Sequence, residues 1–223
     1  EKDAVGAIIF GDFSKVKDPR RRRGKRHPLS GLLNLMVAGL ASGSRTLRDI
    51  EDFCEDSTGQ ARRTFGLLRK ASDTTADRAL RTSSGAQLPA VLERRVKDDL
   101  KAKAVVHDAF DEGVVAIDGK KVWVGDFCAH TLCQRHTYDD GSPYWMLFAQ
   151  RAALISSSAK PCLGQHFIAD KEAETSEFAT FFWKLLRAYG KSFEMVTSDA
   201  GACSRKNGRV IHAANKGYLF SLK

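Results

Sequence analysis

The residues of this sequence best suited to chemistry are two aspartates. The stretches Val115-Ala116-Ile117-Asp118-Gly119-Lys120 and Val196-Thr197-Ser198-Asp199-Ala200-Gly201-Ala202 are each a run of strand formers that closes on an aspartate beside a glycine. A carboxylate at the end of a buried strand is held stiffly, yet its oxygens reach the rim of the sheet. Two of them on adjacent strands make a hard-oxygen site suited to Mg²⁺ or Mn²⁺. Two such ions about 3.5–4 Å apart can stabilise the entering and leaving oxygens of an in-line phosphoryl displacement. Asp118 and Asp199 are therefore the candidate catalytic and metal-ligating residues. Many strands also end in aspartate for turn chemistry alone, so the pair carries the argument and neither residue does so singly.

The charge balance agrees with such a substrate. The 223 residues hold 36 Lys and Arg against 27 Asp and Glu, a net charge of +9. That balance favours polyanionic partners, although merely basic soluble proteins share it. Lys17 to His27 is the densest run, and Arg20, Arg21, Arg22, Arg23, Lys25 and Arg26 are its candidate DNA-binding residues. Phosphate contacts there would be salt-dependent and largely blind to sequence. The plainer alternative is a solvated loop, with Asp18-Pro19 as a turn and Pro28 as a helix start. Lys120, beside Asp118, is a further candidate phosphate contact.

The elements that must position these groups fall into two parts. Residues 1–110 read as helical. An amphipathic opening (Val5, Ile8, Ile9, Phe10, Phe13) precedes the basic run, and an apolar helix follows from Pro28 and Ser30 through Leu40. That helix is too short and too interrupted by Ser30, Asn34 and Gly39 to span a bilayer. Thr46 with Asp49 forms a capping pattern for a second helix. Ala61 to Lys70 reads as a third, Ser72 caps a fourth, and a longer helix starts near Pro89.

Residues 114–223 change periodicity. Val114 to Val124, Tyr144 to Ile155 and Cys162 to Ala169 read as a three-strand antiparallel meander. Ser176 reads as the cap of an aromatic-rich helix that Gly190 ends. A strand at Phe193 to Ser198, a helix at Arg205 to Asn215 and a strand at Tyr218 to Leu222 complete the order β-β-β-α-β-α-β. This is an α/β (α+β) chain whose second part has the element order of the ribonuclease H-like fold. In that order the first and fourth strands lie side by side, which would bring Asp118 opposite Asp199.

Five cysteines at irregular spacing, with no secretory signal evident, predict free thiols in a reducing cytoplasm. Cys128, His130, Cys133 and His136 are all legitimate zinc ligands, but their spacing lacks the usual paired halves, and no metal is expected there.

Several motifs resemble one family, the DDE insertion-sequence transposases. They are Asp18-Pro19-Arg20-Arg21-Arg22-Arg23-Gly24-Lys25-Arg26-His27-Pro28-Leu29, Leu47-Arg48-Asp49-Ile50-Glu51-Asp52-Phe53, Ser72-Asp73-Thr74-Thr75, and the two aspartate motifs above. The closing Tyr218-Leu219-Phe220-Ser221-Leu222-Lys223 also fits. The resemblance implies an N-terminal transposase-associated helical domain (1–110) and a ribonuclease H-like catalytic core (114–223). It further implies Mg²⁺ or Mn²⁺ as cofactor, double-stranded DNA as substrate and target, and a homodimer on DNA in the cytoplasm, at the nucleoid. Asp118 would bridge two ions and Asp199 would bind one.

The family's third carboxylate is a glutamate on a helix beyond the fifth strand, and no residue of this sequence corresponds to it. Glu172, Glu174 and Glu177 precede the first core helix in this reading and lie on the wrong element to replace it. The expectation is a truncated core, inactive alone. The alternatives are a structure-specific DNA nuclease on the same fold and a non-catalytic DNA-binding remnant.

Overall fold

The computed structural model describes residues 12–21, 25–83, 85–128 and 130–221. The amphipathic opening before residue 12, together with Arg22 and Arg23, lies outside them. Two compact units, Glu1–Arg95 and Val96–Lys223, divide the chain within one helix.

The first unit is helical. A short 3-10 turn at Phe13–Lys15 leads to α1 (Leu29–Ala41), α2 (Leu47–Asp56), α3 (Gly59–Thr64), α4 (Asp73–Thr82) and the start of α5 (Leu88–Lys101). The caps explain the boundaries. Thr46 and Asp49 form a reciprocal capping box at α2, and the Ser72 hydroxyl accepts from the Thr75 N–H at α4. The third helix is shorter than expected and starts earlier. Thr58 caps it, and Gly66 at φ +87° turns the chain away soon after Thr64. Leu29, Leu32, Leu35 and Met36 of α1 pack with Ile50, Cys54, Phe65, Leu67 and Ala79 into one core.

The second unit is one mixed sheet with helices. Its strands are β1 (Val114–Gly125), β2 (Gln134–Thr137), β3 (Pro143–Leu154), β4 (Cys162–Ile168), β5 (Met195–Ser198) and β6 (Gly217–Phe220). Between them run α6 (Ala173–Tyr189) and α7 (Arg205–Ala213). The meander is β1–β3–β4, all antiparallel, and β2 is an additional short strand beside the start of β3. β5 joins β1 in parallel and β6 joins β5 in parallel, giving the arrangement expected of a ribonuclease H-like core. The core lies between sheet and helices: Val115, Ile117, Ala152 and Leu154 against Phe178, Phe181, Phe182 and Leu185, closed by Phe193, Val196 and Ile211. Trp183, next to Phe182 on α6, is exposed.

Two expectations are corrected here. The aromatic helix begins at Ala173, because the Asp170 side chain accepts the Ala173 N–H at 2.6 Å and opens the helix. Ser176 lies inside it and donates to the Ala173 carbonyl. The thiols are not all free: Cys128 and Cys133 form a disulfide in the segment joining β1 and β2, while Cys54, Cys162 and Cys203 are free.

Candidate metal centre

The parallel pairing of β1 with β5 decides where the two aspartates meet. Its last rung is Ile117 opposite Ser198, and the buried Ser198 hydroxyl donates to the Ile117 carbonyl at 2.7 Å. The next residue on each strand is the aspartate. β5 stops there, whereas β1 runs on to Gly125 paired with β3 alone. Asp118 therefore sits where the neighbouring strand ends, not at the end of its own. The opening left by β5 lets both carboxylates converge.

A third acid joins them. Asp118, Glu174 and Asp199 each offer an oxygen within 4.8 Å of the others. This corrects the expectation that Glu174 precedes the first core helix, since the earlier helix start puts it in the first turn of α6. It is 4% exposed, whereas Asp118 is half-buried and Asp199 exposed. Among the described residues this is the one group of three or more acidic, histidine or cysteine side chains able to share an ion, so the Cys128–His136 segment forms no such set.

Glycines make the room. A Cβ on Gly119 would stand 2.5–2.7 Å from the Glu174 carboxylate, and one on Gly201 would meet Glu174 and Asp199 oxygens at 3.1 Å. The glycine beside each aspartate motif is thus a space for the third acid. The backbone of Gly119 also donates to that carboxylate. Around it, Gln150, fully buried, donates to the Glu174 carbonyl at 2.7 Å. Asn207, fully buried on α7, donates to the carbonyls of Thr175 and Ala202 at 3.1 and 2.9 Å. It therefore ties the first turn of α6 to the loop that carries Asp199. The Thr175 hydroxyl donates to the Gly201 carbonyl on the same path.

The electrostatics follow from this crowding. Burial, then the Asp199 and Asp118 charges, push the Glu174 carboxyl above its ordinary value, against the opposing Gly119 N–H and Lys171. The Lys120 ammonium lies 2.7 Å from Asp118, which raises it above the usual lysine value. Three carboxylates with one of them desolvated form a set that a small, hard divalent cation neutralises, and no softer ligand stands among them. The donors fit Mg²⁺ or Mn²⁺.

The basic run divides differently. Arg20 is withdrawn from any DNA surface: its side chain is 4% exposed, pairs with Asp18 at 2.9 Å and donates to the His27 carbonyl at 2.8 Å. It is a structural pin, which corrects its place among the phosphate contacts. Arg21, Lys25 and Arg26 are exposed, although Lys25 also donates to the Asp18 carbonyl.

Comparison with known proteins bears on both units. Residues 10–94 match the family described as DDE_Tnp_1-associated. Two Escherichia coli K12 proteins, YbfL and the "H repeat-associated putative transposase YhhI", are each 26% identical over 219 residues. Those alignments take in 96% of this chain and 50% of each relative. The chain is thus similar to a putative transposase along its length and to a DDE-associated family over its helical unit. It spans about half the length of the curated relatives it matches. Two solved transposase assemblies align more loosely. A piggyBac synaptic complex with hairpin DNA aligns over 97% of this chain and 49% of that one, at 12% identity and a TM-score of 0.45. A pre-cleavage Mos1 transpososome aligns over 94% and 63%, at 13% identity and a TM-score of 0.27. Those two overlaps are too low to bear on the site.

Glu174 sets a pH dependence with a definite sign. An acid raised by folding costs nothing below its ordinary value, and the cost grows as pH climbs through the raised one. Metal-free protein should therefore lose stability across that window. Glu174→Gln should melt roughly 2–4 °C higher than wild type at neutral pH without metal, and the two should converge in acid. In the same melts Mn²⁺ should stabilise wild type and leave the variant unmoved. A lower melting point for the variant at neutral pH would contradict the assignment. Gly119→Ala should keep the circular dichroism of the fold but bind Mn²⁺ about 10- to 100-fold more weakly, read by calorimetry.

Proposed function

We propose that this chain comprises a DNA-engaging helical domain (1–110) and the metal-binding core (114–223) of a DDE transposase. In this reading the core takes part in cutting DNA at element ends and joining it to a target. The observation that carries the reading is the convergence of Asp118, Asp199 and Glu174 at the end of a parallel strand pair. Relatedness to the DDE transposases supports DNA as the polyanion that a net charge of +9 favours.

Asp118 and Asp199 would hold the ion pair's ligand positions, with Glu174 closing the set from α6. Mg²⁺ or Mn²⁺ bound there would supply Lewis acidity and an activated water or 3′-hydroxyl. The protein's own part is to fix three acids in one place before substrate arrives, through the Ser198–Ile117 rung and the Asn207 tie. Lys120, half-exposed beside Asp118, would meet a phosphate oxygen, and Arg21, Lys25 and Arg26 would add sequence-blind contacts along the duplex. Two element ends must come together for transposition, so a homodimer on DNA at the nucleoid is part of the proposal.

A second reading has an observation in its favour. With Glu174, three carboxylates meet within these residues, a set that would suit hydrolytic nicking without joining. Both readings need the same carboxylates, and one assay separates them from a non-catalytic DNA-binding remnant. On supercoiled plasmid with Mg²⁺, the chain should nick, and Asp118→Ala should lower the rate at least ~100-fold. Joined products should come only from a polypeptide of the relatives' full length. Nicking that survives Asp118→Ala, or that needs no divalent cation, would contradict the proposal.

A further inference from the structure

Lys120 and Asp118 stand two residues apart on β1, so both side chains leave the strand on one face. The Lys120 ammonium lies 2.7 Å from one Asp118 oxygen. The two side chains are 60% and 47% exposed, so burial does not lock the pair. Lys120 also lines a cavity of about 430 Å³ together with Lys121, Lys171, Gly119 and Glu174. Its flexible stem thus has two places for the charge: on the carboxylate, or at the rim of a cation-lined hollow beside it.

We infer that Lys120 is a resident counter-ion, which occupies Asp118 until a divalent cation displaces it and then turns to a DNA phosphate. The inference rests on the metal-centre reading above. The ammonium engages one of the two Asp118 oxygens and holds positive charge beside the other, and a doubly charged ion among the three carboxylates repels a lysine so near. Metal uptake therefore weakens this ion pair. A phosphate offers the released ammonium a new partner, so metal and DNA each favour binding of the other, and linkage makes the effect reciprocal. Lys121, the next residue, lines the same hollow but makes no ion pair with Asp118, so it is a control of equal charge for metal binding without DNA.

The test is calorimetric titration of Mn²⁺ into the 223-residue chain, with and without a short DNA duplex. Without DNA, Lys120→Gln should bind Mn²⁺ about two- to fivefold more tightly than wild type, the size expected when a competing exposed ion pair is removed. Lys120→Arg should resemble wild type, and so should Lys121→Gln. Adding duplex should tighten Mn²⁺ binding by wild type and do so less for Lys120→Gln. Unchanged or weaker binding by Lys120→Gln would overturn the counter-ion role, as would an equal gain in Lys121→Gln. Mn²⁺ binding by wild type that is lost in Glu174→Gln but indifferent to Lys120→Gln would overturn this role alone. Failure of every form to bind Mn²⁺ would overturn the metal centre with it.

Discussion

Three acids of like charge are brought within reach of one another at the point where β5 stops, and the second unit is built to hold them there. Their repulsion is visible in Glu174, whose carboxyl is raised by burial and by its neighbours. Such a cluster stays assembled only because other bonds fix its members. The Ser198–Ile117 hydrogen bond sets the strand register, Asp170 sets the start of α6, and Asn207 ties that start to the Asp199 loop. A set of like charges held in this way is one that a bound cation would relieve.

The approach of Asp118 to Asp199 was legible in the sequence because each follows strand-forming residues, and the element order alone predicts that those two strands are neighbours. Glu174 was not legible, for a local reason. Ser176 looks like an N-cap, yet the helix already begins at Ala173, whose N–H the Asp170 side chain accepts, and this earlier start moves Glu174 from a loop onto the helix. A signal was present in the glycines. Gly119 and Gly201 accompany the aspartates in the sequence, and the structure needs them because a Cβ at either position would crowd Glu174. Periodicity cannot reveal a space left for a side chain distant along the chain.

The helical unit shows the same limit from the opposite side. Its helices follow from caps and apolar spacing, and four of them start within a residue or two of the expected place. Composition could not tell a buried arginine from an exposed one within a single basic run. Arg20 is pinned by Asp18 and by the His27 carbonyl, so the charge density of that segment overstates what it offers a phosphate backbone. Arg21, Lys25 and Arg26 keep their exposure, and the match of residues 10–94 to the DDE_Tnp_1-associated family fits a helical module that accompanies such cores.

The most direct measurement of the central claim is anomalous scattering from crystals of this chain soaked in Mn²⁺. A peak about 2–2.5 Å from oxygens of Asp118, Asp199 and Glu174 is expected, with the Glu174 carboxylate still seated over Gly119. Manganese bound elsewhere, or held by the aspartates while Glu174 turns away, would contradict the three-carboxylate centre.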